Sequence, residues 1–240
     1  MKREAKDYIV FPLDVPTSAE AMELVRLLRD RVGLFKVGLE LFIASGPDII
    51  REIHATAGRK VFLDLKLHDI PATMRRAFLS ASLHGPRFVT VHCDQGGGML
   101  RDVAEDNPGG TQILAVSLLT SLGAEDLERL GHREIYVRDP AALVLEKARI
   151  ASEAGCHGLI CSGWEAARVK QELGEAFVVM TPGIRPEWTL VDGDDQRRVV
   201  TPRKAVAAGA DYLVVGRPIR DAKDPAEAAR RIAGEISAAL

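Results

Sequence analysis

The sequence predicts an α/β protein with a (β/α)8 barrel, the TIM barrel fold, as a single domain over residues 1–240. Short β-branched runs alternate eight times with amphipathic segments, which favours parallel strands joined by helical crossovers. A chain of 240 residues also has the usual length of eight such units. An open doubly wound sheet is the alternative. It would normally carry a glycine-rich turn after the first strand, where Leu13-Asp14-Val15-Pro16 stands.

Eight runs rich in β-branched and aromatic residues are predicted to be strands, because such side chains fit a pleated surface. In chain order they are Tyr8–Val15, Leu34–Gly38, Lys60–Leu67, Phe88–His92, Gln112–Leu118, Gly158–Ser162, Phe177–Thr181 and Tyr212–Gly216.

The segments between these runs are predicted to be helices, because their apolar residues recur at steps of three and four. Asp or Ser often precedes such a segment and Gly often follows it, as expected at helix ends. The predicted helices are Ser18–Arg31, Ile43–Ala57, Pro71–Leu83, Gly98–Glu105, Pro140–Ala154, Trp164–Leu173, Arg203–Ala208 and Pro225–Ala239. Two longer connections, Thr120–Asp139 and Pro182–Val200, follow the fifth and seventh strands and are expected on the active face.

The composition excludes several classes of protein. Hydrophobic residues make up 47% and charged residues 28% of the chain, an ordinary globular balance. The net charge of −2 argues against nucleic-acid binding and against a polybasic membrane surface. No apolar run approaches the roughly 18 residues of a membrane-spanning helix, and the N-terminal segment has no signal-peptide pattern. Cys93, Cys156 and Cys161 form no CxxC motif and are expected to be buried, reduced thiols of a cytoplasmic protein.

Charged residues in the third predicted strand point to a catalytic site. Side chains alternate between the faces of a strand, so Asp64 and Lys66 are expected to point into the barrel near its C-terminal mouth. Asp14 ends the first strand and Lys36 lies near the end of the second, so four charges are predicted to share one cavity. A purely structural Asp64–Lys66 ion pair is the alternative. Buried charges are costly unless paired, and alternating signs keep each group charged.

A metal site at this end of the barrel is an alternative hypothesis. Asp64, His68, His92 and Asp94 could serve as ligands. Lys66 beside Asp64 argues against this hypothesis, because a fixed cation disfavours a second one. His68 and His92 are therefore expected to be structural, and no metal is predicted.

The loops after the seventh and eighth strands are predicted to bind phosphate, as is usual for this fold. Gly216 allows close approach of the backbone to an anion, and Arg217 can donate two hydrogen bonds to one phosphate. A surface arginine at a turn is the alternative. The polar loop 192–198 could close over a ligand, and Thr120 and Ser121 could either contact a heterocycle or cap the next segment.

The sequence resembles the bacterial orotidine 5'-phosphate decarboxylase family over essentially its whole length. Asp64-Leu65-Lys66-Leu67-His68-Asp69-Ile70-Pro71-Ala72-Thr73 is similar to the family signature D-x-K-x-x-D-I-P-N-T. Further blocks match in order, namely Leu13-Asp14, Lys36-Val37-Gly38, Val91-His92, Leu119-Thr120-Ser121, Thr181-Pro182-Gly183-Ile184-Arg185, Gly193-Asp194-Asp195-Gln196 and Val215-Gly216-Arg217-Pro218-Ile219.

The resemblance implies a carboxy-lyase that converts orotidine 5'-phosphate to UMP and CO2, the last step of de novo UMP synthesis. It implies a homodimer without cofactor or metal. In a Lys36-Asp64-Lys66-Asp69 charge network, Lys66 would protonate C6 of the base, Asp64 would face the substrate carboxylate, and Lys36 would bind Asp64 and the ribose. The other implied substrate contacts are Asp14 at the ribose, Thr120 at the pyrimidine, Asp69 and Thr73 from the neighbouring subunit, and Arg185, Gln196, Gly216 and Arg217 at the phosphate.

The chain departs from the family pattern at a few positions. Ala72 stands where Asn is usual, Ser117 where Thr is common, and Val91-His92-Cys93-Asp94 is more polar than usual. None of these changes removes a matched functional group. Two other functions are alternatives for this sequence. One is a related Mg²⁺-dependent keto-sugar-phosphate decarboxylase, and the other is a phosphosugar-binding barrel without catalytic activity. The first should lack the Ile70-Pro71-x-Thr73 extension, and the second should lack part of the charge network.

Overall fold

The computed structural model describes residues 3–189 and 199–240, and within them eight parallel strands form a closed barrel in chain order. The predicted (β/α)8 fold is therefore confirmed. The strands are β1 (Ile9–Pro12), β2 (Leu34–Gly38), β3 (Val61–Leu67), β4 (Phe88–His92), β5 (Gln112–Val116), β6 (Gly158–Ile160), β7 (Val178–Thr181) and β8 (Tyr212–Val214).

Helices connect the strands and cover the outside of the barrel. They are α1 (Ser18–Leu28), α2 (Leu39–Ser45), α3 (Asp48–Ala57), α4 (Pro71–Ser82), α5 (Gly97–Glu105), α6 (Ala124–Arg129), α7 (Glu134–Arg138), α8 (Pro140–Glu153), α9 (Ala166–Leu173), α10 (Pro202–Ala207), α11 (Arg217–Arg220) and α12 (Pro225–Ser237). No helix of the described residues is long and apolar enough to cross a membrane.

Several helices begin where the sequence provides an N-cap. Thr17, Asp139, Thr201 and Asp224 each accept a hydrogen bond from a backbone amide of the helix that follows, at the start of α1, α8, α10 and α12. These side chains satisfy amide groups that have no partner within the helix. Three of these helices also have proline at the first helical position, where a missing N–H costs nothing.

Some predicted boundaries are wrong. The single helix predicted over Ile43–Ala57 is two helices, because the chain turns at Gly46, whose φ is +65°, and continues through Pro47. The long connection Thr120–Asp139 contains α6 and α7 rather than only loop. Several strands are shorter than predicted: β1 excludes Tyr8, which lies in a 3-10 turn, and ends at Pro12.

The barrel interior is apolar at its N-terminal end. Buried side chains from seven strands form this inner layer, with Phe62 against Phe88 and Phe88 against Tyr212 in edge-to-face contacts. The guanidinium of Arg3 lies 4.1 Å from the centre of the Tyr212 ring. Because aromatic rings fill this end, polar groups inside the barrel are concentrated towards the C-terminal ends of the strands, where enzymes of this fold have their sites.

Candidate active site

The first three strands bring four charged side chains together at the C-terminal mouth. Lys66 Nζ lies 2.8 Å from Asp64 Oδ2, and Lys36 Nζ lies 3.7 Å from the same oxygen. Lys36 Nζ also lies 3.0 Å from Asp14 Oδ1. The four groups form a chain of alternating charge, Asp14–Lys36–Asp64–Lys66, across β1, β2 and β3, as strand order predicts.

Asp64 and Lys36, at the centre of this chain of charges, are largely shielded from solvent, whereas Asp14 at its end is half exposed. Only 11% of the Asp64 side chain and 12% of the Lys36 side chain are exposed, whereas Lys66 is 33% exposed. Burying an ion costs several kcal/mol unless it is paired and hydrogen-bonded, and the structure provides both for Asp64. Lys66 is the more accessible of the two ammonium groups.

The backbone at Lys66 is not that of a regular strand. The pairing of β3 with β4 shifts between Leu63 and Leu67, and Lys66 has a φ of +49°. Asp64 and Lys66 do lie together at the cavity as predicted, but regular strand alternation is not what places Lys66 there. An irregularity in β3 brings Lys66 beside Asp64, and such bulges and left-handed residues are common next to active sites.

Thr90, at the centre of β4, holds this irregular segment. Its hydroxyl accepts a hydrogen bond from the backbone N–H of Lys66 at 2.8 Å and donates one to Asp64 Oδ1 at 3.0 Å. Thr90 is fully buried. One hydroxyl therefore positions both the backbone of Lys66 and the carboxylate that binds its ammonium group.

A cavity of about 170 Å³ opens beside this charge chain. Lys36, Asp64, Lys66 and Thr120 contribute its polar side, and apolar walls come from side chains such as Ile160. This combination suits a flat heterocycle that carries a negatively charged substituent, because the ring contacts apolar walls while the substituent meets the ammonium groups.

A second cavity, of about 280 Å³, adjoins the first. Asp14, Arg185, Gly216 and Arg217 line it, and Lys36 lines both cavities. Arg185 is buried, and a Cβ added at Gly216 would lie 3.0 Å from the Pro12 ring, so a side chain there would crowd β1. The guanidinium groups of Arg185 and Arg217, beside the backbone of Gly216 that no side chain covers, fit an anion such as phosphate. The predicted phosphate contact Gln196 lies outside the described residues.

Asp69 and Thr73 do not join this site within one chain. Asp69 is exposed, and its Oδ1 accepts a hydrogen bond from the N–H of Ile70 at 2.7 Å. Asp69 borders a separate, open depression that also includes His68 and Gln95. Thr73 lies in the first turn of α4. Within a single chain, Asp14 therefore takes the place in the charge chain that the sequence-based network assigned to Asp69.

The chain matches one known protein family over nearly its whole length. The family model described as "Orotidine 5'-phosphate decarboxylase / HUMPS family" matches residues 7–232. This chain belongs to that family. The match includes β1 to β8 and every site residue predicted from the sequence, and it confirms the resemblance seen in the signature Asp64–Thr73.

Individual members of the orotidine 5'-phosphate decarboxylase family are similar over nearly the whole chain. The orotidine 5'-phosphate decarboxylase of Desulfosudis oleivorans is 48% identical over 239 residues, covering 99% of this chain and 96% of the relative. The orotidine 5'-phosphate decarboxylase of Anaeromyxobacter dehalogenans strain 2CP-1 is 47% identical over 224 residues, covering 93% of this chain and 96% of the relative. The crystal structure of the Lactobacillus acidophilus orotidine 5'-phosphate decarboxylase has a TM-score of 0.81 at 32% identity, covering 95% of this chain and 98% of that one.

Two residues of this family member that matter to the site were missed in the sequence. Thr90 is the middle residue of the strand Phe88–His92 and lies on the same face as His92. Two polar residues on one face of an otherwise apolar strand are the signal that could have identified it. Lys147 lies on the buried face of α8, and a lysine among Val144, Ala148 and Ala151 is a signal that a counter-charge faces it. The distance to that counter-charge could not be read from a single helix.

The side chains considered for a metal have other partners in this member of the decarboxylase family. Asp64 binds two ammonium groups, and Asp94 Oδ1 lies 2.6 Å from Lys147 Nζ. The His68 and His92 rings stack with their centres 5.4 Å apart. Among residues 3–189 and 199–240, no group of three His, Cys, Asp or Glu side chains is placed to hold a metal ion.

Proposed function

We propose that this chain decarboxylates orotidine 5'-phosphate to UMP and CO2, the final step of UMP synthesis. The Asp14–Lys36–Asp64–Lys66 chain beside a cavity for a flat ring carries the proposal. Family membership and relatives of 41–48% identity, each named orotidine 5'-phosphate decarboxylase, support it.

In this proposal the substrate lies across the two adjoining cavities. Its pyrimidine ring enters the cavity lined by Lys66 and Thr120, and its phosphate enters the cavity lined by Arg185, Gly216 and Arg217. Lys36 lines both cavities, and Asp14 lies beside it, so this pair contacts the ribose between them. Gln196, which lies outside the described residues, stays a predicted phosphate contact.

Lys66 is the proton donor in this proposal. Loss of CO2 leaves an electron pair at C6 in the plane of the ring, where the ring π system cannot delocalise it. A nearby cation must stabilise that charge, and an acid must protonate it. Lys66 does both, while Asp64 faces the departing carboxylate and Lys36 holds Asp64 in place. In the proposed step the bond between C6 and the carboxylate carbon breaks, CO2 leaves, and the electron pair left on C6 takes a proton from Lys66. No cofactor is proposed, because this step needs no external oxidant or reductant.

Phosphate binding contributes to catalysis at a distance. Contacts remote from the reacting carbon can supply the energy that presses the substrate carboxylate towards Asp64. A closed, dry cavity would also strengthen the interactions among the four charges. A substrate without phosphate is therefore expected to react more slowly, not only to bind more weakly.

The active enzyme is proposed to be a homodimer in which Asp69 and Thr73 enter the neighbouring subunit's site. Asp69 is exposed and lies outside its own chain's cavities, and Ile70 beside it is 68% exposed although it is apolar. Both features fit a turn that is covered by a second copy. Each site would then take Lys66 from one chain and Asp69 from the other.

The cytoplasm is the proposed location, since Cys93, Cys156 and Cys161 are all buried free thiols, as is usual in a reducing compartment. The partners proposed for the chain are its small-molecule substrate and its second copy, with no nucleic acid and no membrane. A single domain over residues 1–240 is also proposed, because pairing of β1 with β8 closes the eight strands into one barrel.

The loss of orotidine 5'-phosphate absorbance, followed with and without EDTA, tests the proposed function. We expect turnover at the same rate in both, with UMP as product. No turnover of orotidine 5'-phosphate would contradict the assignment. Turnover of a keto-sugar phosphate that EDTA abolishes would instead indicate the metal-dependent alternative.

A further inference from the structure

A second charge cluster, which includes one buried lysine, lies beside the candidate active site. Lys147, in the middle of α8, has only 10% of its side chain exposed. Its Nζ lies 2.6 Å from Asp94 Oδ1, after β4, and donates a hydrogen bond to the carbonyl of Ser117, after β5, at 2.7 Å. One lysine therefore connects α8 to the loops that follow two neighbouring strands.

Asp94 extends this cluster towards β3. Its other oxygen, Oδ2, lies 3.2 Å from Nδ1 of His92. The His92 hydrogen bond and the Lys147 ammonium hold the pKa of the Asp94 carboxyl well below its usual range, so the group is a carboxylate at neutral pH. An ionised Asp94 fixes the orientation of the His92 ring.

The cluster ends at the segment that carries Asp69. The His92 ring stacks on His68, with ring centres 5.4 Å apart and planes at 26°. Gln95 Nε2 donates a hydrogen bond to the carbonyl of Leu67 at 2.8 Å. Leu67 and His68 are the two residues immediately before Asp69, so the loop after β4 contacts both of them.

We propose that Lys147, Asp94 and His92 are positioning residues that act through His68 to aim Asp69 at the neighbouring subunit's site. The inference rests on the proposed function and its shared site. The exposed Asp69 carboxylate has no ion-pair partner among the described residues of its own chain. Its Oδ1 accepts a hydrogen bond from the adjacent N–H of Ile70, so its direction follows that of the backbone, which residues 67–68 help to set. A displacement of about 1 Å in a catalytic constellation can cost about 100-fold in rate.

The structure also offers a competing path within one chain. Lys147 binds the carbonyl of Ser117, and Leu118, Leu119 and Thr120 follow it along the wall of the ring cavity. If a substitution in the cluster acts through the Ser117 carbonyl, it displaces residues 118–120 and lowers activity in the site of the same chain. One path lowers activity in the neighbouring subunit's site, and the other lowers it in the site of the substituted chain. Mixed dimers can therefore distinguish the two paths.

The test uses His68→Ala and Asp94→Asn, each made as a homodimer and then mixed with Lys66→Ala or with Asp69→Ala. For each homodimer we expect kcat at least tenfold below wild type and KM within about threefold, because Asp69 is misdirected while the substrate cavities are intact. Mixing with Lys66→Ala should restore about a quarter of wild-type activity, since one site then has an intact Lys66 and a correctly held Asp69. Mixing with Asp69→Ala should restore none.

Matched controls separate folding from positioning. His68 is exposed, so His68→Ala leaves no buried cavity and remains decisive if Asp94→Asn, which removes the counter-charge of buried Lys147, does not fold. His132→Ala, in the turn between α6 and α7, should keep wild-type kcat.

Three results would overturn the proposal. The first is a kcat within twofold of wild type for His68→Ala. The second is restoration by Asp69→Ala but not by Lys66→Ala, which would place the damage in the same chain. The third is failure of Lys66→Ala and Asp69→Ala to restore each other despite subunit exchange, which removes the shared site. Wild-type turnover of orotidine 5'-phosphate is measured separately, so a wrong function and a wrong positioning role give different results.

Discussion

The hydroxyl of Thr90 accepts a hydrogen bond from the backbone N–H of Lys66 at 2.8 Å, across the irregular stretch of β3. The same hydroxyl donates to Asp64 Oδ1 at 3.0 Å. Lys66 has a φ of +49°, a conformation that costs a non-glycine residue about 1–3 kcal/mol and persists only when its surroundings hold it. Thr90 is the residue that holds it, and the ammonium group of Lys66 reaches the buried carboxylate as a result.

Thr90→Val tests this relationship with little change in volume. We expect kcat to fall at least tenfold and the free energy of unfolding to fall by about 1–3 kcal/mol, because a buried carboxylate and a backbone N–H each lose a partner. Steady-state kinetics and denaturant unfolding measure the two effects. Thr56→Val, which removes an exposed hydroxyl on α3, is the control and should change neither. Wild-type kcat in Thr90→Val would show that Lys66 is held by other contacts.

Lys66→Ala should abolish turnover and leave binding of product-like nucleotides largely intact. A general acid typically contributes 10²–10⁴-fold, and stabilisation of the developing charge adds to that. Single-turnover kinetics and calorimetric titration with UMP measure the two properties. Lys60→Ala, at the opposite end of the barrel next to β3, is the matched control and should retain activity. Activity of Lys66→Ala within tenfold of wild type would remove Lys66 from its proposed role.

Arg217→Ala should weaken the reaction through the phosphate. Loss of a charge-assisted hydrogen bond is expected to cost about 1.5–3 kcal/mol in kcat/KM. Added guanidinium should recover part of this loss, because it supplies the missing cation. Arg230→Ala, which breaks an exposed ion pair with Glu227 on α12, is the control. An equal fall in kcat/KM for orotidine without phosphate would mean that Arg217 does not bind that group.

The shared site predicts complementation between two inactive variants. Lys66→Ala and Asp69→Ala homodimers should each be nearly inactive. In a mixed dimer, one site collects both substitutions and the other collects none. Random exchange makes about half of the dimers mixed, so roughly a quarter of wild-type activity should return. If the mixture stays inactive although labelled subunits have exchanged, each site is built within one chain.

Much of the fold could be predicted from the sequence, because the signals involved are local. Runs such as Leu34–Gly38 and Phe88–His92 have the predicted bounds in the structure, since β-branched residues between turn residues report on a short stretch of chain. The break between α2 and α3 at Gly46 and Pro47 was missed, although both residue types commonly end helices. Apolar residues recur at steps of three and four on both sides of the break, so the pattern resembles one continuous helix.

The grouping of Asp14, Lys36, Asp64 and Lys66 follows from strand order alone, because the ends of adjacent parallel strands meet at one rim. The sequence by itself therefore determined the barrel and the members of the charge chain. Only the tertiary structure decided how Lys66 is held, that Asp69 lies outside its own chain's cavities, and that Lys147 faces Asp94. Those three relationships join residues of different elements, and they depend on strand register and helix packing, which no local period in the sequence records.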